Sequence, residues 1–86
     1  MLIVANKKFD KKVSKQSLEV QKELKNRIRI FAYNKNHPIL KTHKLSGKLK
    51  GLWSFSVSGD IRVIFDQSQK GVIILVDIGS HSELYG

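Results

Sequence analysis

The sequence contains no cysteine, so the chain can form neither a disulfide framework nor a thiolate metal site. Its three histidines lie at positions 37, 43 and 81, with no His-x-x-x-His spacing and no carboxylate cluster beside them. The glycines at positions 47 and 51 lack the Gly-Lys-Ser/Thr ending of a phosphate-binding P-loop. We therefore expect a protein that works without a metal and without any other cofactor.

Long hydrophobic runs are also missing. The longest are Leu2–Ala5 and Val72–Val76, far short of the roughly 20 apolar residues that a membrane-spanning helix needs. The first run passes directly into Asn6-Lys7-Lys8, which is too short and has the wrong charge order for a secretory signal. We expect a cytoplasmic protein with no membrane association, and the length of 86 residues predicts a single domain, residues 1–86.

Positive charge is abundant and unevenly distributed. The formal net charge is +9. Residues 1–50 contain 14 lysines and arginines against three acids, a balance of +11, whereas residues 51–86 contain two against four, a balance of −2. A field of this kind attracts a polyanion, which can be nucleic acid, an acidic membrane or an acidic protein segment. The simpler interpretation is a soluble protein that happens to be basic.

The first half has the spacing of two helices. Asn6 is a candidate N-cap for the first helix, and Ser17 is a candidate N-cap for the second. Behind Ser17 an apolar stripe recurs at spacings of four, four and three, with basic residues on the opposite side: Val20, Leu24, Ile28 and Phe31. This stripe predicts an amphipathic helix of about five turns. The helix should end before His37, because Pro38 pushes the preceding residue out of the α region.

The second half has the period of β-strands. Trp53, Phe55 and Val57 alternate with serines up to a turn at Gly59-Asp60, and a second alternating run covers residues 61–65. Residues 72–78 are almost continuously apolar, which is typical of a strand buried on both faces. With a short first strand at residues 2–4, the order is β-α-α-β-β-β. We predict an α+β fold in which a helical hairpin packs on one face of a twisted, mainly antiparallel four-stranded sheet.

The other face of this predicted sheet carries Ser54, Ser56 and Arg62, so we expect it to be open and partly polar. In an antiparallel meander the end of the fourth strand lies near the start of the third. His81, just after the last strand, should therefore lie near Asp60 and Arg62. Histidine transfers protons near neutral pH, and an arginine can bind a phosphate and stabilise charge on its oxygens.

Two further residues complete the candidate set: His43 lies in the segment that enters the sheet, and Tyr85 can stack on a base or position a phosphate through its hydroxyl. Each candidate also has an ordinary structural explanation. A loop histidine is commonly a solvated surface residue, Asp60 can be a turn former, and Arg62 can pair with Asp60 or Asp77. The basic residues before the sheet can be a solvated charge run or a stripe that tracks phosphates: Lys41, Lys44, Lys48 and Lys50.

Two segments resemble a known family. The stretch His43–Phe65, HKLSGKLKGLWSFSVSGDIRVIF, and the ending Gly79–Gly86, GSHSELYG, look like the RelE superfamily of toxins, and the ending is close to that of its YafQ branch. The predicted order of helices and strands is similar over the whole chain. The resemblance implies a RelE-like fold, ribosome-dependent cleavage of messenger RNA, and a cognate antitoxin that holds the toxin silent.

Carried over residue by residue, the resemblance implies catalytic roles for His43, Asp60 and His81, with His81 as the principal acid/base. It also implies that Arg62 contacts the scissile phosphate and that Tyr85 takes the position of a terminal aromatic. Since RNA supplies its own nucleophile, the 2′-hydroxyl, the enzyme needs one base, one acid and one cation. The candidates are Asp60 or His43 as base, His81 as acid, and Arg62 with nearby lysines as the charge stabiliser.

The chain departs from its relatives on the second strand of the meander. Ser56 stands where the YafQ branch has a further histidine, and Ser54 and Ser56 stand where the RelE branch has lysines. We include both serines, with the four lysines above, among the expected RNA-binding residues.

Two other functions remain open. A ParE-like toxin on the same fold would inhibit DNA gyrase by binding and would cleave nothing, but its members generally lack the terminal histidine and aromatic that His81 and Tyr85 provide here. A non-catalytic RNA-binding module would use the same basic charge.

Overall fold

The computed structural model describes residues 1–86, and its first half contains one strand and two helices. Strand β1 spans Leu2–Ala5, helix α1 Lys7–Ser14 and helix α2 Leu18–Tyr33. The side chains of Asn6 and Ser17 accept hydrogen bonds from backbone N–H groups three residues on, at 2.7 Å and 3.1 Å. Both predicted N-caps are therefore confirmed. Helix α2 ends before His37, as predicted, and a short 3-10 helix, Pro38–Leu40, follows.

The second half supplies the rest of the sheet and a third helix. The bounds are β2 His43–Lys44, β3 Trp53–Ser58, β4 Ile61–Asp66, β5 Val72–Ser80 and α3 His81–Tyr85. The strand order is β1-β5-β4-β3-β2, with β1 parallel to β5 and all other pairs antiparallel. The predicted α+β class is confirmed, but the strand count of four is one too low. The missing strand is β2, which is too short to show an alternating pattern.

A buried aromatic cluster joins α2 to the sheet. The ring of Phe31 on α2 lies 5.0 Å from that of Phe55 on β3 and 4.9 Å from that of Phe65 on β4. All three rings are almost completely buried and belong to one hydrophobic core. Offset and edge-on contacts of this kind favour a defined ring arrangement. The helices therefore cover one face of the sheet in a fixed position.

The opposite face is less open than the sequence predicts. Ser54 on β3 and Ile64 on β4 are register partners across the sheet, and both are buried although neither faces the main core. His43, the register partner of Ser54 on β2, brings its Nε2 to 3.5 Å from the Ser54 hydroxyl. The short edge strand thus closes part of this face, and polar access is confined to one end of the sheet.

Arg27 fastens α2 to the free edge of β3. Its Nη1 donates to the carbonyl oxygens of Ser56, at 2.8 Å, and Ile39, at 3.1 Å. Its Nε donates to the Glu23 carboxylate one helical turn earlier, at 2.9 Å. An edge carbonyl that would otherwise be unpaired is satisfied by a charge-assisted hydrogen bond. The backbone of Ser56 is therefore held in place beside Arg62.

Helix α1 is fastened to β5 through Asp77, whose carboxylate lies 2.6 Å from the Lys12 ammonium and 3.3 Å from that of Lys8. Burial raises the pKa of Asp77, but hydrogen bonds from Lys12, the Ile78 backbone and Lys8 outweigh it, so the pKa lies below its usual value. Asp77 is thus occupied by lysines and does not pair with Arg62. None of the helices has the length and apolar character required to span a membrane.

Candidate active site

A cleft of about 480 Å³ opens on the sheet face away from α1 and α2. It is lined by side chains from four parts of the chain: His43, Lys44, Leu45, Ser46, Arg62, His81 and Tyr85. Strand β2 and the loop after it form one wall, β4 forms the floor, and α3 forms the other wall. Two imidazoles, one guanidinium and one phenol therefore share a single solvent-filled space.

Arg62 occupies the floor because of the strand register. It lies opposite Ser56 on β3 and opposite Gly79 on β5, neither of which has a long side chain. The Nε of Arg62 is buried and has no hydrogen-bond partner. The ion pairs of the molecule are Lys8–Asp77, Lys12–Asp77 and Arg27–Glu23, so Arg62 pairs with no carboxylate. A buried cationic donor without a partner is costly, and it suits an anion that enters the cleft.

His43 is held in one tautomer by a local backbone contact. Its Nδ1 lies 2.9 Å from the carbonyl oxygen of Lys41. Because a carbonyl can only accept, Nδ1 carries the proton in this contact and Nε2 of the neutral ring is left as an acceptor. Lys41 reaches this position in the left-handed backbone region, with a φ of 49°. Nε2 is therefore the acceptor atom of the ring, and it lies 3.5 Å from the Ser54 hydroxyl.

The N-terminus of α3 places His81 at the cleft. Ser80 and Glu83 form a reciprocal capping box, with the Glu83 carboxylate accepting from the Ser80 N–H at 2.8 Å and the Ser80 hydroxyl accepting from the Glu83 N–H at 3.3 Å. The backbone hydrogen bond from Ser80 lowers the pKa of Glu83 below its usual value. The Asp60 carboxylate accepts a hydrogen bond from the His81 N–H at 3.3 Å. Side-chain oxygens of Ser80, Glu83 and Asp60 therefore hold the start of this short helix.

Gly79 allows α3 to fold back beside β5. A Cβ at this position would lie 3.2 Å from the Glu83 Oε1 and 3.3 Å from the Glu83 Cβ. Any larger residue would require the capping glutamate to shift slightly. The absence of a side chain at Gly79 thus serves the cap and also leaves room for Arg62 on the neighbouring strand.

One helical turn brings Tyr85 against His81. The two rings lie 4.6 Å apart between centroids at an interplanar angle of 61°, an edge-on contact between residues four apart on α3. The Tyr85 hydroxyl is buried and, like the Nε of Arg62, has no hydrogen-bond partner. Two unpartnered polar atoms therefore belong to residues that line one cleft.

Comparison with known proteins shows the family to which the chain belongs. The family model described as "Bacterial toxin of type II toxin-antitoxin system, YafQ" matches residues 1–86. The chain is a member of the YafQ toxin family. No curated protein sequence matches it significantly.

Solved structures agree with the fold. A YafQ mutant from E. coli superposes with a TM-score of 0.80 at 20% identity, covering 98% of this chain and 97% of that one. A metal-bound toxin from Helicobacter pylori gives a TM-score of 0.71 at 26% identity, covering 99% of each chain. RelE in an archaeal RelE–RelB complex from Pyrococcus horikoshii gives 0.72 at 19% identity, covering 92% of each. The predicted RelE-like architecture is therefore confirmed.

In this YafQ-family chain the structure brings together four of the five residues that we predict to be catalytic. His43, Arg62, His81 and Tyr85 line the cleft, whereas Asp60 does not. Asp60 is near His81, as the meander predicts, but its carboxylate is bound to the backbone of His81 and not to the imidazole. The His81 imidazole and the Arg62 guanidinium therefore belong to one cleft as expected, whereas the Asp60 carboxylate lies outside its lining.

The predicted RNA-binding residues divide into three groups. Lys44 lines the cleft, while Lys48 and Lys50 line two grooves that adjoin it. Lys41 lines none of these spaces and contributes its carbonyl oxygen to His43. The side chain of Ser54 is fully buried, and its contact with RNA stays a prediction. The Ser56 side chain is half-buried and lies outside the cleft lining.

Two functional features were missed in the sequence. The Lys41 carbonyl that orients His43 depends on a left-handed backbone conformation at a lysine, and no residue pattern predicts it. The second missed feature is the cap of α3. A signal for it was present, because Ser80-His81-Ser82-Glu83 has the S-x-x-E spacing of a capping box. No three His, Cys, Asp or Glu side chains gather into a group able to hold a metal ion.

Replacing Arg62 by methionine should stabilise the fold, because the change removes a buried donor without a partner and keeps a long side chain. We expect the free energy of unfolding to rise by about 1 kcal/mol, at the lower end of the cost of such a donor. Urea denaturation followed by circular dichroism measures it. Arg29→Met on the exposed side of α2 is the matched control and should change little. A clear loss of stability in Arg62→Met would show that the guanidinium has a structural partner.

Proposed function

We propose that this chain is the endoribonuclease toxin of a type II toxin–antitoxin pair and that it cleaves messenger RNA, engaged on the ribosome as the family resemblance implies. The observation that supports this proposal best is the composition of the cleft. Two proton-transfer groups, His43 and His81, share it with Arg62 and Tyr85, whose buried polar atoms lack partners. These are the groups that phosphodiester cleavage by an internal nucleophile requires.

In the proposed reaction Nε2 of His43 removes the proton from the RNA 2′-hydroxyl. The 2′-oxygen then attacks the adjacent phosphorus, and the bond to the leaving 5′-oxygen breaks as His81 gives that oxygen a proton. The products are a 2′,3′-cyclic phosphate and a free 5′-hydroxyl. Arg62 stabilises the negative charge that develops on the non-bridging oxygens, and the Tyr85 hydroxyl donates to one of them.

His43 suits the role of base better than Asp60 does. The contact with Lys41 leaves Nε2 of His43 unprotonated in the neutral ring, and His43 lines the cleft. The Asp60 carboxylate lies outside the lining and already accepts a hydrogen bond from the His81 backbone. We therefore assign Asp60 a positioning role: it holds the first residue of α3, and through it the imidazole of His81.

The basic first half of the chain provides attraction for the RNA backbone. Lys44 lies at the border of the cleft, with its ammonium over the ring of Trp53, and Lys48 lines a neighbouring groove that also includes Tyr85. Lysines at these positions can bind phosphates on either side of the reacting one without reading sequence. Affinity for RNA should therefore fall steeply with salt.

Changing His81 to glutamine tests the nuclease directly. We expect the rate of message cleavage to fall by about 10²–10⁴, the usual contribution of one proton-transfer group, with the fold unchanged. Primer extension on a translated message measures it, together with growth after induction. His37→Gln is the matched control, since His37 is exposed and lies outside the cleft.

Two results of this experiment would contradict the proposal. Growth arrest by the His81 variant as strong as that of wild type, with the message left uncleaved by both, would support a non-catalytic RNA-binding module. Intact message with DNA supercoiling blocked, in wild type and variant alike, would support a ParE-like inhibitor of gyrase.

The positioning role of Asp60 predicts different effects for two substitutions. Asparagine keeps an oxygen that can accept from the His81 N–H, so Asp60→Asn should retain nearly all cleavage. Asp60→Ala removes the acceptor and should slow cleavage about fivefold, as expected for a capping hydrogen bond of about 1 kcal/mol. The pH–rate profile should keep its shape in both variants. If Asp60 were the base, both variants would lose about 10²–10⁴ in rate together with the acidic limb of the profile.

We further propose an acidic antitoxin as the partner. YafQ from E. coli forms a toxin–antitoxin complex with DinJ, and the archaeal RelE forms a complex with RelB. The +11 balance of residues 1–50 supplies the attraction for an acidic segment. Co-expression with the adjacent short reading frame should yield a complex and restore growth. A chain that is harmless when strongly expressed alone would contradict both the toxin and the need for an antitoxin.

A further inference from the structure

We propose that a second groove beside the cleft, containing Trp53, is a subsite that stacks a nucleobase of the RNA strand flanking the scissile phosphate. This inference rests on the proposed nuclease function and extends it. Trp53 is the only tryptophan of the chain. Its ring is half-buried, packing against the core on one side and lining the groove on the other.

The groove has the size and chemistry of a nucleotide site. It encloses about 540 Å³, within the range of roughly 300–1,000 Å³ in which proteins hold small ligands. Its lining combines one tryptophan and two leucines with two lysines, a serine and a glycine: Lys44, Leu45, Ser46, Lys50, Gly51, Leu52 and Trp53. A positively charged groove with an aromatic platform is the common arrangement for single-stranded nucleic acid.

The groove is continuous with the cleft. Lys44, Leu45 and Ser46 line both spaces, so the loop after β2 is their shared wall. The register of β2 explains the arrangement. His43 lies opposite Ser54 and faces the cleft. Lys44, the next residue, lies opposite Trp53 and faces the other side of the sheet edge. An RNA strand that leaves the cleft across Leu45 and Ser46 therefore enters the groove next.

Lys44 occupies the stacking position in the free protein. Its ammonium lies 5.6 Å from the centroid of the Trp53 ring, a distance at which a cation is attracted to the ring face. The ring face is therefore accessible from the groove. When RNA binds, the Lys44 ammonium moves to a phosphate, because a phosphate is a stronger partner for it than the ring. A base then takes its place on the Trp53 ring, since every base has a π face that can stack.

The single tryptophan makes the subsite directly observable. We would titrate the full chain at low salt with a short 2′-O-methyl RNA, which lacks the 2′-hydroxyl nucleophile, and follow Trp53 fluorescence. Quenching is expected on binding. An abasic strand of the same length keeps the phosphates but has no bases, so it should bind without quenching. An unchanged Trp53 signal while the 2′-O-methyl RNA binds, as measured by anisotropy of a labelled strand, would overturn the subsite.

A variant provides the second measurement. Trp53→Leu keeps an apolar contact with the core and should weaken binding of the 2′-O-methyl RNA about 5- to 150-fold, the range for loss of one base–aromatic stack. Its affinity for the abasic strand should not change. Tyr33→Leu is the matched control, because Tyr33 is an aromatic residue on α2 that is 94% exposed and lies outside the groove. Equal affinities of Trp53→Leu and wild type for the 2′-O-methyl RNA would contradict the proposal.

Failure of the subsite is distinguishable from failure of the nuclease. Message cleavage by wild type without any Trp53 response would remove the subsite and leave the nuclease standing. A Trp53 response with no cleavage of message would overturn the nuclease on which the proposal rests, and would leave an RNA-binding groove on a protein of another function.

Discussion

The antiparallel pairing of β4 with β5 is the constraint on which the site depends. It sets Arg62 opposite Gly79 and Ile61 opposite Ser80, so the guanidinium lies beside the point where α3 begins. Because side chains alternate between faces with a period of two, a slip of one residue would turn Arg62 into the aromatic core and Val63 into the cleft. The packing of Phe31, Phe55 and Phe65 on the other face opposes such a slip. The hydrophobic core therefore sets the position of the charged group through the register.

Short local contacts then orient what the register brings together. The Lys41 carbonyl selects the tautomer of His43, and Asp60 with the Ser80–Glu83 cap holds the first turn of α3. A helix of five residues has almost no stability of its own. Its position rests on side-chain caps from three different residues, which explains why polar groups crowd around its start. The same caps make the geometry of His81 depend on a residue that lies outside the cleft.

The parts of the fold that could be predicted are those with a period. The stripe behind Ser17 predicts α2, the alternation from Trp53 predicts β3, and the break at Pro38 is correct. Strand β2 has only two residues and shows no repeating pattern, so the sequence did not predict it. The burial of Ser54, the register partner of His43 on β2, was therefore not predicted either. The nearness of His81 to Asp60 follows from the meander alone. The Asp60 carboxylate binds the backbone N–H of His81 because of the geometry of the first turn of α3. The pattern of hydrophobic residues does not determine that geometry, so this contact could not be predicted.

The first half of the chain contributes most of the positive charge of the surface around the cleft, and the second half contributes the strands beneath it. The first half carries the charge, a balance of +11, and the second half, with a balance of −2, carries the strands that hold Arg62 and His81. A uniformly basic sheet would bind polyanions everywhere along its face. Here the lysines lie around the cleft while its floor offers a single guanidinium whose Nε has no partner. Under the proposed function, long-range attraction and local recognition are thereby separated: the lysines would attract the RNA strand along its backbone, and Arg62 would bind one phosphate inside the cleft.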